Sequence, residues 1–348
     1  MKAALFHGTN QPFEITEVED PEPREGYVLV CIKGAGICGG DLHRYRGGIK
    51  VKPLPHIMGH QVAGVVAEVG SGVPANIKFG MRVAVLPFDS CGVCENCKKG
   101  MDNLCVDLFK RWSFTENFYG GYAELVPVPY KCLVEIPKSI PLIEAASLTD
   151  AIATPYHAIR LAEIHLGEIV VVYGIGDLGS AIVQLAKLEG GQVIAVDVLE
   201  EKLGLAKALG AEETVNAADV DPVMQIKRLT DGLGAHVAFE VAGRNDTTLQ
   251  AIDSVRRGGR VILVGATDEP INGFITMPYS PKGFALTREL TLKAAWAMIS
   301  YEVQEVVNLR ASGLIDTKTG LSVLPLEQIN EAFDRKAGGE LTRVILTP

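Results

Sequence analysis

The feature that most constrains the fold of this 348-residue chain is a change in sequence pattern near residue 148. From there to residue 287, short apolar runs alternate with segments whose apolar residues recur at helical spacing. The apolar runs lie at 169–173, 193–198, 236–241 and 260–264, and the helical segments include 180–188 and 200–209. This alternation is typical of an α/β domain in which helices cover both faces of a parallel sheet. The sequence therefore predicts a doubly wound parallel sheet.

The first part of the chain predicts a different, β-rich architecture. Up to about residue 128 the apolar runs, such as 27–32 and 62–69, are short and interrupted by Gly and Pro, which favours antiparallel strands. Residues 341–347 indicate a last strand, which we assign to the same domain. Single cores seldom grow past about 250 to 300 residues, so we expect two domains. We place the β-rich domain at 1–147 and 290–348, and the domain with the parallel sheet at 148–289.

A glycine pattern follows the first apolar run of the predicted parallel sheet. Gly174, Gly176 and Gly179 form G-x-G-x-x-G between a strand-like and a helical segment. In that context they allow a tight turn, close approach of the backbone to a pyrophosphate, and close helix–strand packing. Asp197, at the end of the next strand, can accept hydrogen bonds from ribose hydroxyls and repel a 2′-phosphate, which favours NAD over NADP. The alternative is an α/β domain with ordinary glycine turns. We further assign cofactor contacts to Leu178, Lys202, Val264 and Ala266.

Four cysteines are packed into one short loop. They are Cys91, Cys94, Cys97 and Cys105. Four thiolates so close in sequence can surround a zinc ion and leave no open position, so we predict a structural zinc site in a lobe at 91–105. An iron–sulfur cluster is disfavoured, because the bacterial ferredoxin pattern has three residues before its fourth Cys, followed by Pro. Disulfides or free thiols remain the minor alternatives.

A second possible metal site lies earlier in the chain. Cys38 and His60 each lie beside glycines, and thiolate and imidazole are both ligands that zinc accepts. By themselves they are weak evidence, since a lone Cys is usually a small buried apolar residue and a lone His usually a satisfied polar one.

Five motifs in order resemble those of the zinc-dependent medium-chain dehydrogenases, the alcohol and polyol dehydrogenase family. They are GICGGDLH at 36–43, Gly59-His60, the four-cysteine lobe, SLTDAIATPY at 147–156, and the glycine pattern from Gly174. The resemblance covers essentially the whole chain. It implies a GroES-like catalytic domain built from both ends of the chain, a Rossmann domain between them, and an active site in the cleft.

The resemblance also implies a catalytic zinc held by Cys38, His60 and a third ligand. That third position is Cys in the type enzymes and Asp in some secondary alcohol dehydrogenases, and here it falls on Asp150. Zinc would then act as a Lewis acid on a substrate hydroxyl, NAD would accept the hydride, and His43 would pass the proton toward solvent. We expect two zinc ions per chain and a secondary alcohol, polyol or sugar as substrate.

Two residues depart from the family pattern. Gly40 stands where the family usually has Ser or Thr, so water, a cofactor hydroxyl or a second substrate hydroxyl would have to complete the proton path. Gln61 stands where a Glu usually follows the zinc-binding His, and loss of that charge should make the metal a stronger acid. We expect a pH–rate profile that differs from those of Gly40→Ser and Gln61→Glu variants. The alternatives are a relative that reduces an activated carbonyl or enoyl group, or a non-catalytic NAD-binding redox sensor.

Charge and hydropathy exclude other classes of partner. The formal net charge of −9 argues against binding to nucleic acid or to an anionic membrane surface. No apolar stretch is long enough for a bilayer span, and the N-terminal residues lack the pattern of a signal peptide. We therefore expect a cytoplasmic enzyme that acts on small molecules, as a homo-oligomer in which a tetramer is favoured over a dimer.

Overall fold

The computed structural model describes residues 1–50, 53–114, 118–266 and 288–348. The strands and helices are numbered here in chain order. Within these residues, the strands are β1 (Lys2–Phe6), β2 (Glu14–Glu17), β3 (Tyr27–Gly36), β4 (His56–Ile57), β5 (Gln61–Val69), β6 (Arg82–Val85), β7 (Leu125–Pro129), β8 (Leu133–Glu135), β9 (Ile169–Tyr173), β10 (Gln192–Asp197), β11 (Glu213–Asn216), β12 (Ala235–Glu240), β13 (Val255–Leu263), β14 (Thr291–Ala294), β15 (Leu321–Pro325) and β16 (Arg343–Thr347).

The helices of the described residues are short, and several are only one turn long. They are α1 (Gly39–Tyr45), α2 (Glu95–Lys98), α3 (Leu142–Ala145), α4 (Ala153–Ala162), α5 (Asp177–Leu188), α6 (Glu200–Ala208), α7 (Pro222–Leu229), α8 (Asn245–Ser254), α9 (Ser300–Ala311) and α10 (Ile329–Ala337). A π-helical turn at Leu148–Ile152 runs directly into α4. No helix in the described part of the chain combines the length and the apolar character needed to cross a membrane.

The backbone contacts divide the chain into two compact units. The first unit contains Met1–Ala153 and Ala297–Pro348, and the second contains Thr154–Trp296. The boundaries expected from the sequence, after residues 147 and 289, lie several residues earlier.

The second unit contains the predicted parallel sheet. Its strand order in the described residues is β11-β10-β9-β12-β13-β14, and every neighbouring pair is parallel. β9 lies in the middle with the sequence IVVVY, and four of its five residues are buried. Such continuous apolar strands are expected where helices cover both faces of a sheet. The strand order reverses at β9: β10 and β11 lie on one side of it, and β12 to β14 lie on the other. This arrangement confirms the predicted Rossmann fold.

The first unit is mainly antiparallel, as predicted. Its larger sheet follows the order β15-β16-β3-β5-β6-β8, with β7 also paired to β3, and its smaller sheet has the order β2-β1-β4. β3 is the long central strand, and β5 pairs with it from Val28 opposite Val69 to Gly36 opposite Gln61. β16, from the C-terminal part of the chain, pairs with the end of β3. The far end of the chain is thereby built into the same sheet as the motif that follows β3.

Candidate functional site

The side chains of Cys38, His60 and Asp150 converge in the first unit. Each offers one ligand atom, and the three atoms all lie within 4.8 Å of one another. The His60 Nε2 atom is 3.2 Å from Asp150 Oδ2. All three side chains are at least half-buried. Residues from three distant parts of the sequence, with Cys38 and Asp150 lying 112 positions apart, thus form one cluster whose donor types, a thiol, an imidazole and a carboxylate, suit zinc.

Local backbone structure places each of these three side chains. Cys38 caps the N-terminus of α1 directly after β3, and its Sγ accepts a long hydrogen bond from the Gly40 N–H at 3.5 Å. His60 follows Gly59, whose φ of +93° favours glycine and turns the chain into β5. Asp150 lies within the π-helical turn, which is closed by a hydrogen bond from the Ile152 N–H to the Ser147 carbonyl. Single π-helical turns of this kind are frequent at functional sites.

The buried carboxylate of Asp41 contacts both His60 and Cys38 and so holds them in place. Its Oδ1 lies 3.2 Å from His60 Nδ1, and its Oδ2 accepts hydrogen bonds from the Cys38 N–H at 3.0 Å and the Tyr122 hydroxyl at 2.9 Å. A carboxylate on one ring nitrogen of a His fixes the ring and leaves the other nitrogen for a metal. Nε2 of His60 is therefore the nitrogen available to an ion. Asp41 was not predicted from the sequence as a site residue, although its place three residues after the helix cap matches a capping-box pattern.

The Gln61 side chain forms a hydrogen bond with the Asp150 carboxylate. Its Nε2 donates a 2.8 Å hydrogen bond to Asp150 Oδ2, and both side chains are buried. Gly36 makes room for this amide, because a Cβ at position 36 would lie 2.2 Å from Gln61 Oε1. Gln61 Oε1 itself is buried and has no hydrogen-bond partner among the described residues. From the sequence, Gln61 was predicted only to remove a negative charge beside the metal, and its role as a hydrogen-bond donor to Asp150 was not predicted.

The pKa directions show that this cluster favours a cation. Burial, reinforced by the Asp150 charge, raises the pKa of the Cys38 thiol to about 11. Burial acts to lower the pKa of His60, but the carboxylates of Asp41 and Asp150 outweigh it and hold that pKa well above its usual value. Without an ion, these shifts favour a neutral, protonated Cys38 thiol and a protonated His60 imidazole beside the carboxylates. A divalent ion can replace those protons, so the residues present fit zinc.

The four cysteines of the predicted lobe also come together. Their ligand atoms lie within 4.8 Å of one another, and none of them forms a disulfide. The Cys91 N–H donates to Cys105 Sγ at 3.3 Å. Hydrogen bonds from the backbone N–H groups of Cys97 and Val106 lower the pKa of Cys94 to about 6. Burial and the neighbouring Cys94 thiol raise the pKa of Cys97 to about 12. Because like charges oppose ionisation of all four thiols together, the lobe fits a bound cation.

The glycine pattern in the second unit has the geometry of a strand–turn–helix junction. Gly174 follows β9 with φ at +91°, a conformation that favours glycine. A Cβ on Gly179 would lie 1.9 Å from the Gly174 carbonyl oxygen, so only glycine allows α5 to pack this closely on the turn. A Cβ on Gly176 would meet nothing within 4 Å, so the backbone there is open to a ligand. The N-terminus of α5 therefore fits a pyrophosphate.

Asp197 ends β10 beside this turn. Its carboxylate accepts hydrogen bonds from the backbone N–H groups of Ile175 at 2.7 Å, Val198 at 2.8 Å and Leu199 at 3.1 Å. These contacts hold the carboxylate at the edge of the sheet that carries the glycine turn. A negative charge in that place accepts hydrogen bonds from ribose hydroxyls and repels a phosphate on the same ribose.

The other predicted cofactor residues lie in the same unit. Leu178 is in the first turn of α5, and Lys202 is buried in the first turn of α6. Val264 and Ala266 follow β13, and the Val264 N–H donates to the Glu240 carbonyl at the end of β12. The segment after β13 therefore leaves the parallel sheet at the carboxyl end of its strand, where ligands of such sheets bind.

His43 and Gly40 lie on α1, next to the proposed metal-ligand cluster of Cys38, His60 and Asp150. His43 is half-buried in the second turn. A Cβ on Gly40 would lie 3.9 Å from Cys38 Sγ and 3.4 Å from Arg44 Nη1. The guanidinium of Arg44 thus borders the space that a Ser or Thr side chain would fill, which the sequence pattern alone did not indicate.

Comparison with known proteins identifies the family of this chain. Residues 24–138 match the family described as the alcohol dehydrogenase GroES-like domain, and residues 178–312 match the zinc-binding dehydrogenase family. An alcohol dehydrogenase of Geobacillus stearothermophilus is 36% identical over 99% of this chain and 98% of its own. A sorbitol dehydrogenase of Bacillus subtilis (strain 168) is 33% identical over 96% of this chain and 93% of its own.

A solved structure shares the fold over the full length. The alcohol dehydrogenase of the hyperthermophilic archaeon Aeropyrum pernix has a TM-score of 0.88 with this chain, is 32% identical, and is covered completely, as is this chain. The similarity spans both units. The chain belongs to the zinc-dependent medium-chain dehydrogenase family.

Proposed function

We propose that this protein is an NAD-dependent zinc alcohol dehydrogenase that oxidises the hydroxyl of a small alcohol or polyol, or reduces the corresponding carbonyl. The observation that carries the proposal is the convergence of Cys38, His60 and Asp150 into one cluster whose side chains are half-buried or buried. Similarity to an alcohol dehydrogenase and to a sorbitol dehydrogenase supports the same chemistry and the same two classes of substrate. Secondary alcohols, polyols and sugars are the substrates to which we assign it.

Cys38, His60 and Asp150 would hold the catalytic zinc. When bound, zinc supplies a Lewis acid that lowers the pKa of a substrate hydroxyl, and NAD supplies the hydride acceptor. The Cys38 thiolate and the Asp150 carboxylate would balance the charge of the ion, and Asp41 contacts Nδ1 of the His60 ring, which leaves Nε2 to bind it. Gln61 fixes the Asp150 carboxylate by donating to one of its oxygens. We assign to His43 the passage of the released proton toward solvent.

The NAD contacts are proposed for residues of the parallel sheet. Gly174, Gly176, Leu178 and Gly179 would hold the pyrophosphate at the N-terminus of α5. Asp197 would accept hydrogen bonds from the adenosine ribose, with Lys202 nearby, and this carboxylate favours NAD over NADP. Val264 and Ala266 would lie under the nicotinamide half.

The finer points of the proposal concern the second metal and the assembly. We assign a second, structural zinc to Cys91, Cys94, Cys97 and Cys105, which makes two ions per chain. We also propose that the protein is a cytoplasmic homo-oligomer, with a tetramer favoured over a dimer.

Turnover and metal content together test the proposal. NADH formation is followed by absorbance with a panel of secondary alcohols, polyols and sugars, and zinc is counted in the same protein. We expect steady turnover and two zinc ions in the unmodified chain. Asp150→Ala should lose one zinc and its turnover, whereas Asp219→Ala, which removes an exposed carboxylate, should keep both. One zinc in the unmodified chain, retained in Asp150→Ala, together with no turnover, would favour a non-catalytic NAD-binding protein.

A further inference from the structure

A largely buried cation borders the metal-ligand cluster. Arg44 lies one helical turn after Gly40 in α1, and its side chain is 18% exposed. Its Nη1 atom is 3.4 Å from the point that a Cβ on Gly40 would occupy, and Cys38 Sγ is 3.9 Å from the same point. The missing side chain at Gly40 therefore leaves the guanidinium next to the place where a substrate oxygen would meet the cluster.

The donors of this guanidinium are unused within the described part of the chain. Its ion-pair partner is Asp41, but Nη1 and Oδ1 are 3.9 Å apart, which is too long for a hydrogen bond. The Asp41 carboxylate is already engaged by the Cys38 N–H, the Tyr122 hydroxyl and the His60 ring. No other described residue accepts a hydrogen bond from the Arg44 side chain. Arg44 is not among the described residues with a fully buried polar atom that lacks a partner, so its five N–H donors remain open to solvent or to a ligand.

The chemistry of the guanidinium selects the kind of ligand that would satisfy it. Its planar fork matches the oxygens of a carboxylate or a phosphate, and hydrogen bonds between charged groups are the stronger ones. The Cys38 thiolate and the Asp150 carboxylate together balance a divalent ion, and Arg44 balances Asp41. An oxyanion would therefore meet no uncompensated negative charge at the cluster.

We propose that Arg44 binds an anionic group of the substrate, a carboxylate or a phosphate, attached a few bonds away from the hydroxyl that reacts. The substrates would then be hydroxy acids or polyol phosphates rather than neutral polyols. This inference rests on the proposed function, because it places an alcohol substrate at the cluster, and it assigns that substrate a charge.

Matched pairs of ligands test the proposal by binding alone. Lactate is compared with propane-1,2-diol, and glycerol 3-phosphate with glycerol, by calorimetry on the zinc-loaded full chain with saturating NADH, so that no oxidation occurs. In each pair the anionic group is the main difference. We expect at least one anion to bind about tenfold or more tightly than its neutral partner, since a charge-assisted hydrogen bond is worth at least that factor. The first pair reports a carboxylate, and the second a phosphate.

Substitutions of Arg44 test whether this side chain causes the tighter binding of the anionic ligands. Arg44→Gln should reduce the ratio of the two dissociation constants to near one, and Arg44→Lys, which keeps the charge without the fork, should retain part of it. Arg46→Gln is the matched control, because Arg46 is exposed at the end of the same helix and its loss changes the net charge equally. Thermal melts of all variants would be measured to check that each is folded.

Two results would overturn the role of Arg44. One is equal binding of charged and neutral ligands in both pairs, and the other is a preference that survives in Arg44→Gln. A weaker affinity of Arg44→Gln for NADH, with the ratio of the two dissociation constants unchanged, would instead assign the side chain to the cofactor phosphates.

Oxidation of neutral alcohols by the unmodified protein is measured separately. Turnover with equal binding would refute only the role of Arg44, whereas no turnover with any alcohol would refute the dehydrogenase function.

Discussion

At the scale of single residues, the Gln61 amide holds Asp150, the third proposed metal ligand. It donates a 2.8 Å hydrogen bond to Asp150 in a buried setting, and Gly36 leaves the space it needs. In Gln61→Leu, a side chain of similar size without a donor, the Asp150 carboxylate would lose that support. Because loss of such a partner typically costs 10- to 100-fold in metal affinity, we expect the zinc dissociation constant of this site to rise by roughly that factor. Competition with a chromophoric chelator measures it.

Two controls accompany this measurement. The zinc assigned to the four-cysteine lobe should keep its affinity in Gln61→Leu, which provides an internal reference. Gln192→Leu makes the same substitution at an exposed position of the parallel sheet and should leave both sites unaltered. Equal zinc affinity in Gln61→Leu and the unmodified chain would show that Asp150 is held without the amide.

His56 is the residue whose titration should be visible in the stability of the fold. Burial, with a smaller contribution from the Arg44 cation, lowers the pKa of His56 to about 4 from an ordinary value of 6.5. The folded chain therefore keeps this ring neutral while the unfolded chain takes up a proton. The stability that results is present above pH 6.5 and is lost as the pH falls toward 4, by an amount on the order of 3 kcal/mol at 1.36 kcal/mol per pKa unit.

Chemical denaturation between pH 7 and pH 4 checks this expectation. His56→Gln should show a shallower loss of unfolding free energy across this range than the unmodified chain. His7→Gln is the control, since His7 is exposed and its ring contacts only a surface carboxylate in the described structure. Parallel pH curves for His56→Gln and the unmodified chain would contradict a lowered pKa.

At the scale of elements, the packing of α5 on β9 depends on one glycine. A Cβ at Gly179 would lie 1.9 Å from the Gly174 carbonyl oxygen, so Gly179→Ala must displace the helix from the turn. We expect a loss of about 1 to 3 kcal/mol in unfolding free energy, as for other overpacked sites, and a weaker affinity for NADH. Denaturant unfolding and NADH fluorescence titration measure the two effects.

The control for this element is a glycine in the neighbouring helix. A Cβ on Gly204, within α6, would meet nothing within 4 Å. Gly204→Ala should therefore stabilise the chain by about 0.5 to 1 kcal/mol, because Ala loses less backbone freedom than Gly in a helix. If Gly179→Ala and Gly204→Ala changed the unfolding free energy in the same direction, close helix–strand contact would not be the reason for glycine at 179.

At the scale of the whole molecule, the C-terminal strand is structurally tied to the metal-ligand cluster. β16 pairs with the end of β3, and the Val344 carbonyl accepts a hydrogen bond from the Ile37 N–H, immediately before Cys38. Deletion of residues 341–348 would unpair that edge of β3 and also leave β15 without its partner. We expect the shortened protein to lose soluble expression or the zinc at the Cys38 cluster, whereas deletion of Pro348 alone should preserve both. Soluble yield and zinc content after purification provide the readout.

The sequence by itself determined those parts of the molecule whose contacts are local. The alternating pattern predicted the parallel sheet, and β9 has the bounds expected for its apolar run. The four cysteines come together within fifteen residues, so their spacing alone indicated a common metal site. The glycine pattern could be read because one strand, one turn and one helix contain all of it.

Only the tertiary structure decided which distant side chains meet. Cys38 and His60 gave weak signals in sequence, and Asp150 was expected as their partner only from the family resemblance. The donor role of Gln61, the support from Asp41 and the position of Arg44 beside Gly40 became visible once the strands were in place. The physical reason is that periodicity and spacing encode contacts within an element, whereas contacts between distant segments depend on how strand register and packing bring their side chains to one point.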